Sequence, residues 1–150
     1  MRRFAIVSVG LIAGVALAAS AVAQEMKPEE ILKARQGLME AVRMQLGPIV
    51  AVAKGGPITP ATAEAAENIV GIAHALKAAY GKGTENLPNS NAKPEAFSDP
   101  KFLSGYDKLA EAAAKAAADA KANNADAVKA DLGMIGGACK GCHEDFRKKI

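Results

Sequence analysis

Cys139-Lys140-Gly141-Cys142-His143 stands near the end of this chain of 150 residues. On a helix, residues three positions apart share a face, so both thiols can reach one edge of a flat ligand. The histidine that follows can direct an imidazole nitrogen at the centre of that ligand. This C-x-x-C-H spacing is the signature of covalent c-type haem attachment, in which the thiols add across two vinyl groups. We therefore predict one haem c, attached through Cys139 and Cys142, with His143 as an iron ligand.

Other uses of a C-x-x-C pair have less support in this sequence. A thioredoxin-like redox site needs a βαβ context, and no such pattern surrounds the motif. A zinc site needs four ligands, whereas the chain has two cysteines and two histidines, and His74 is distant in sequence. A structural disulfide would give the adjacent histidine no role. An exported dithiol oxidoreductase without haem remains the third hypothesis, after the two haem functions given below.

The N-terminus predicts export from the cytoplasm. Arg2 and Arg3 precede an apolar run over residues 4–19, and the AVA sequence at residues 21–23 fits a signal peptidase site. The run is too short for a membrane span, so we interpret residues 1–23 as a signal peptide and not as an uncleaved anchor. Cleavage after Ala23 would leave one domain, residues 24–150, in the periplasm.

The mature chain carries little net charge. The formal net charge of the full chain is +3, and the predicted signal peptide removes two arginines and no other charged residue. A nearly neutral domain gives no indication of nucleic acid binding, and no membrane insertion of the mature chain is expected.

The composition after the signal peptide predicts an all-α fold. Alanine is abundant, aromatic residues make up 4% of the chain, and runs of β-branched residues are absent. Apolar spacing and helix breakers predict four helices, at about residues 27–54, 60–80, 100–122 and 125–149. A segment rich in Pro, Asn and Gly, residues 81–98, predicts a long crossover loop. The other links are short, which favours an antiparallel four-helix bundle with the haem motif on the last helix.

The first helix supplies candidates for further contacts with the haem. Two inward rows repeat every seven residues: Leu32, Met39, Leu46 and Ala53 form a bundle-type seam, and Arg35, Val42 and Ile49 accompany it. Met39 is the best-placed sixth iron ligand, and its alternative role is that of a core methionine. Arg35 is an inward charge that haem propionates would pair, unless its side chain reaches the bundle rim.

Other candidate residues are fewer and less well placed. Arg147 follows His143 by one turn and could flank the imidazole or the haem edge, although a basic cluster also suits a helix C-terminus. Four further side chains are poor candidates for the sixth ligand because of their position or direction: Met26, Met44, His74 and Met134.

These motifs resemble those of the class II c-type cytochromes, the family of cytochrome c′ and of low-spin cytochromes of the c-556 type. The resemblance covers residues 27–150. It rests on the C-terminal motif, on the ARQGLM sequence at residues 34–39 and on the VAKG sequence at residues 52–55. It implies an antiparallel four-helix bundle with haem at one end. It also implies that Cys139 and Cys142 hold the haem and that His143 is the proximal iron ligand.

The same resemblance implies roles for residues on the first helix. Arg35 and Gln36 match positions that the family places near the haem propionates. Met39 matches the distal position, where members of the c-556 type supply a methionine sulfur to iron. Cytochrome c′ itself often has an apolar residue and an open iron site at this position.

The predicted haem site has two possible functions, and in neither of them is the protein an enzyme. The first is an electron carrier with a low-spin iron held by His143 and Met39, which exchanges electrons with redox partner proteins. The alternative is a five-coordinate haem that binds NO or CO on the Met39 side. The oligomeric state is predicted only as monomer or homodimer, because family members pair through their first two helices.

Overall fold

The computed structural model describes residues 26–80 and 84–149, so the predicted signal peptide lies outside the described residues. The helices are α1 (Pro28–Ala53), α2 (Pro60–Ala79), α3 (Pro100–Lys121) and α4 (Ala125–Phe146). A short 3-10 helix, Pro94–Phe97, lies in the connection between α2 and α3. Consecutive helices pack together, and α1 also packs against α4, which closes a four-helix bundle. The predicted fold class is therefore confirmed.

Local sequence signals explain where the helices begin. Pro28, Pro60 and Pro100 stand in the first turns of α1, α2 and α3, where a missing backbone N–H leaves no helical hydrogen bond unmade. The carboxylate of Asp99 and the side-chain amide oxygen of Asn124 accept backbone hydrogen bonds from the first turns of α3 and α4. The N-terminal boundaries of the helices are therefore set by residues that are close to them in sequence.

Much of the buried core consists of alanine. Large side chains that are fully buried include Ile49, Ile69 and Ile135. Small side chains let helices approach closely, but each contributes little apolar area to the free energy of folding. In the described part of the chain, no helix is long and apolar enough to cross a membrane. The alanines of α3 that belong to the main core cluster are Ala110, Ala112, Ala113, Ala116, Ala117 and Ala120.

The two heptad rows of α1 lie at different depths. The row of Arg35, Val42 and Ile49 is buried, whereas Leu32 and Met39 are only half-buried and line an open cleft. Met39 and Leu46 nevertheless pack against the buried core, so the row faces inward as predicted and also borders the cleft. Sequence periodicity identifies an inward side of a helix, but it does not show whether a neighbouring helix fills the space opposite.

The last helix ends earlier than predicted, at Phe146 and not at residue 149. The backbone of Arg147 is extended and forms an isolated antiparallel bridge with Ala92. The backbone N–H of Lys93 donates to the Phe146 carbonyl at 2.8 Å. This bond satisfies a carbonyl that the end of a helix would otherwise leave free. The crossover segment between α2 and α3 is thus attached to the C-terminus of α4.

Candidate haem site

A cleft of about 630 Å³ lies at the end of the bundle where α4 finishes. Its walls come from α1, α3 and the last turns of α4, together with Tyr80 and residues 90–92 of the crossover segment. This volume is typical of sites that hold a small molecule, about 300–1,000 Å³. All seven site residues predicted from the sequence line the cleft: Arg35, Gln36, Met39, Cys139, Cys142, His143 and Arg147.

The two thiols of α4 are free and half-buried at the cleft wall. Burial raises the pKa of both thiols, and it raises that of Cys142 to about 11, with a smaller contribution from Cys139. Both groups are therefore protonated at neutral pH. A protonated thiol is a poor nucleophile for disulfide exchange, which disfavours the dithiol oxidoreductase hypothesis. Within the described ranges, no group of three or more His, Cys, Asp or Glu residues is arranged to hold a metal ion.

A glycine on α3 leaves room beside the thiol of Cys142, where the two helices approach each other. A Cβ atom placed on Gly105 would lie 3.8 Å from the Cβ and 3.9 Å from the Sγ of Cys142. This is ordinary van der Waals contact, so a larger side chain would press on the sulfur. Glycine at this position keeps space around the atom that would bond to a haem vinyl group.

His143 stands one residue beyond Cys142, at the mouth of the cleft. Partial burial of its ring lowers the pKa of His143, and the nearby positive charge of Arg147 lowers it further. A lowered pKa favours the neutral imidazole, which is the form that binds a metal. Arg147 is therefore close enough to influence the imidazole electrostatically.

Arg35 is a buried cation on the α1 wall, only 3% exposed. Its Cζ atom lies 4.2 Å from the centroid of the Tyr80 ring, and its Nη2 atom donates to the Thr84 hydroxyl. The Nε and Nη1 atoms have no hydrogen-bond partner among residues 26–80 and 84–149. Burial of a charge is costly unless the charge is paired. This wall therefore fits an anionic group that comes from outside the chain.

The remaining predicted residues occupy the wall and the rim. Met39 is half-buried on the cleft wall, whereas Gln36 and Arg147 are exposed at its rim. The structure separates Arg35 and Gln36 by depth, although they are neighbours in sequence. The residues considered poor candidates for an iron ligand are exposed and do not line the cleft: Met26, Met44, His74 and Met134.

An aromatic wall completes the site, and its α3 members were not predicted from the sequence. The rings of Tyr80 and Phe102 have centroids 4.6 Å apart, and those of Phe102 and Phe146 are 5.2 Å apart. Tyr106 is also buried, and its burial raises its pKa above the ordinary value. Phe102 and Tyr106 are four residues apart and so share one helix face. This four-residue spacing of aromatic side chains was the sequence signal that could have predicted the wall.

These side chains fit a covalently attached haem. The cleft offers two thiols one helical turn apart, a neighbouring imidazole, an aromatic wall and a buried cation that lacks a counter-ion in the described part of the chain. Fold and site together define a class of protein: a four-helix bundle that carries haem on its last helix.

Comparison with known proteins identifies the family. The profile of the family described as Cytochrome C' matches residues 30–147. The chain is 35% identical over 130 residues to the cytochrome c′ of Rubrivivax gelatinosus, covering 84% of this chain and 100% of that protein. The chain therefore belongs to the cytochrome c′ family of class II c-type cytochromes, and its cofactor is a covalently bound haem c.

Solved structures show the same similarity. One is the nitric oxide complex of a variant of cytochrome c prime from Alcaligenes xylosoxidans, with a TM-score of 0.70 and 31% identity over 82% of this chain and 98% of that one. Another is a cytochrome c′ with a ligand-controlled dimer dissociation, with a TM-score of 0.74 and 33% identity over 83% of this chain and 98% of that one.

Proposed function

We propose that this cytochrome binds a diatomic gas, NO or CO, at a five-coordinate haem iron on the Met39 side of the cleft. The observation that carries the proposal is the similarity, over nearly the whole length of the other chain, to a cytochrome c prime whose variant forms a nitric oxide complex. The position of Met39 agrees with it, because this side chain is only half-buried and borders the open cleft. A gas ligand would enter between α1 and the haem.

Four site residues have a part in this function. Cys139 and Cys142 would hold the haem through thioether bonds, and His143 would supply an imidazole nitrogen to the iron. The buried cation of Arg35 would pair with a haem propionate. The bound haem supplies an iron that takes up a gas ligand or changes oxidation state by one electron. The apolar and aromatic walls exclude water from the ligand side.

A second function, electron transfer, is supported by the presence of Met39 in the same cleft as His143. The two residues come from different helices, so they can approach iron from different sides. Ligation by His and Met raises the reduction potential and leaves little room for a gas. The protein would then exchange electrons with redox partner proteins. In both functions we propose that the protein is not an enzyme.

We also propose that the protein acts in the periplasm after cleavage following Ala23. The basic start, the apolar run and the small residues of the N-terminus support this location. The mature protein would be a monomer or a homodimer. A similar cytochrome c′ with ligand-controlled dimer dissociation supports a test of its oligomeric state with and without gas.

Visible spectra of the ferric and ferrous protein test the proposed function. We expect haem that stays on the chain in SDS, a high-spin ferrous spectrum, and a Soret band that shifts when CO or NO is added. A low-spin ferrous spectrum that CO does not change would contradict gas binding and support electron transfer. A colourless protein with two titratable thiols would contradict both functions.

A further inference from the structure

Two buried side chains in the cleft carry hydrogen-bond donors without a partner. Arg35 has two such atoms, Nε and Nη1, and Tyr106 has its hydroxyl group. Both residues are almost completely buried, at 3% and 4% exposure. In the described part of the chain none of these three groups makes a well-formed hydrogen bond, although Tyr80 lies close to the Tyr106 hydroxyl. Buried groups without such a bond are rare in native proteins.

The unpartnered donors belong to one wall of the cleft. The ring of Tyr80 is close to both: its centroid is 4.2 Å from the Cζ atom of Arg35 and 5.9 Å from the centroid of the Tyr106 ring. Arg35 comes from α1, Tyr106 from α3, and Tyr80 follows the end of α2. Three separate parts of the chain therefore bring these donors into the same region of the cleft.

The chemistry of these donors specifies what is missing. A guanidinium group only donates hydrogen bonds, and a phenol beside a cation is favourably placed to donate to an anion. The cleft also contains Glu40, but this residue is exposed and pairs with Arg43. The buried carboxylate of Asp131 does not line the cleft. The expected partner is therefore an anionic oxygen group that residues 26–80 and 84–149 do not supply.

We propose that the Tyr106 hydroxyl is a positioning group for haem, which donates a hydrogen bond to the same propionate carboxylate that Arg35 pairs. The proposal rests on the bound haem of the proposed function, and it extends the propionate site from α1 to α3. A carboxylate has two oxygens and can accept from both side chains. Gln36 is exposed at the rim and is not part of this buried pair.

This arrangement would link the haem to the helix that lies beside its attachment point. Gly105 precedes Tyr106, and a Cβ atom at Gly105 would lie within 4 Å of Cys142, so the same turn of α3 would stand beside one thioether sulfur and supply the donor to a propionate. A propionate held in this way stays ionised to lower pH, because both partners stabilise its charged form.

The test uses the haem-loaded protein and follows one carboxylate directly. Haem labelled with ¹³C at the propionate carboxyls, observed by infrared spectroscopy against pH, gives the pKa of each propionate. We expect Tyr106→Phe to raise the pKa of one propionate by about one unit, a tenfold change in proton affinity. The matched control is Ser104→Ala, which removes a hydroxyl from the same helix outside the cleft lining and should leave both propionate pKa values unchanged.

The remaining outcomes also decide the proposal. No shift in Tyr106→Phe, or an equal shift in both variants, would overturn it. If added acetate shifts the spectrum of the original protein but not that of Tyr106→Phe, the site takes a carboxylate from solution and the proposal is wrong. If Tyr106→Phe does not load haem, a fluorinated tyrosine at position 106, whose more acidic hydroxyl is a stronger donor, should lower the pKa of the same propionate, and no change would overturn the proposal. Gas binding is measured separately by CO titration, so its failure would not affect this result.

Discussion

The Cζ atom of Arg35 lies 4.2 Å from the centroid of the Tyr80 ring, where α1 passes the end of α2. The cation is nearly fully buried, so the contact is made away from water. Desolvated cation–π contacts are worth about 2 kcal/mol, compared with about 0.5–1 kcal/mol at exposed sites. The pair therefore joins the first helix of the bundle to the aromatic wall of the haem cleft.

A double-mutant cycle measures this contact. We expect Arg35→Met and Tyr80→Leu each to destabilise the haem-loaded protein, and the double variant to lose less than the sum of the two. The coupling free energy should be about 1–2 kcal/mol, from urea unfolding followed by circular dichroism. Additive losses would show that the ring does not stabilise the cation.

The substitution Met39→Leu distinguishes the two proposed functions. If the iron is five-coordinate, the variant should keep the high-spin ferrous spectrum, and its CO affinity should change by less than about tenfold, since leucine has a similar volume. If Met39 is an iron ligand, the spectrum should change from low-spin to high-spin. Met44→Leu is the matched control, because it makes the same change on α1 at a residue that is 69% exposed.

The backbone bond between Lys93 and Phe146 can be removed without changing the backbone conformation. Lys93 has φ −72° and ψ 153°, which proline also adopts. Lys93→Pro should destabilise the protein by about 1 kcal/mol more than Lys93→Ala, because only the proline variant lacks the N–H that donates to the Phe146 carbonyl. Thermal unfolding of both variants measures the difference. Equal stabilities would show that the crossover segment does not hold the end of α4.

Asp131 predicts a pH dependence of stability. Lys115 Nζ lies 3.0 Å from Asp131 and 2.6 Å from Asp119, but the Asp131 carboxylate is fully buried without a well-formed hydrogen bond in the described structure. Burial raises the pKa of Asp131 above the ordinary value of 3.8, whereas the hydrogen bond from Lys115 lowers that of Asp119.

The two carboxylates should therefore change the free energy of unfolding in opposite directions as pH rises. The folded state holds the Asp131 proton more tightly than the unfolded state, so this group lowers the free energy of unfolding as pH rises from 3.8 through its raised pKa. Asp131→Asn should consequently gain stability relative to the original protein as pH rises through that range. The stabilisation from Asp119 is present above pH 3.8 and is lost as pH falls through its lowered pKa, so Asp119→Asn should lose stability at neutral pH. Urea unfolding at several pH values would reveal both slopes, and parallel curves would contradict the assignment.

Haem should be needed for a well-packed fold. The core is rich in alanine, and without haem the cleft of about 630 Å³ would expose its apolar walls. A group that binds only the folded state stabilises it. We expect the variant Cys139→Ala/Cys142→Ala, prepared without haem, to show a broad, low-temperature melt by circular dichroism. Cys139→Ala alone, which keeps one thioether, is the control. A cooperative melt like that of the haem-loaded protein would refute this expectation.

Predictions from the sequence succeeded where a signal is local and failed where depth in the bundle matters. The C-x-x-C-H motif and the prolines at three helix starts act over one or two helical turns, and each led to the observed arrangement. The row of Leu32 and Met39 was predicted to face inward, but its period did not show that these side chains are half-buried and border the cleft. The seven-residue period is the same for a row that packs against another helix and for a row that faces a haem, because both rows present an apolar surface.

By itself, the sequence of this cytochrome determined an all-α chain with one covalent haem on its last helix, because the haem motif and the helix signals consist of neighbouring residues. Only the tertiary structure decided that Arg35 is buried beside Tyr80 and that Tyr106 faces the same cleft. It also decided that the backbone N–H of Lys93 binds the Phe146 carbonyl, where α4 ends. These contacts join residues from different helices, and their distances depend on how closely the helices pack. No spacing along the chain specifies that separation.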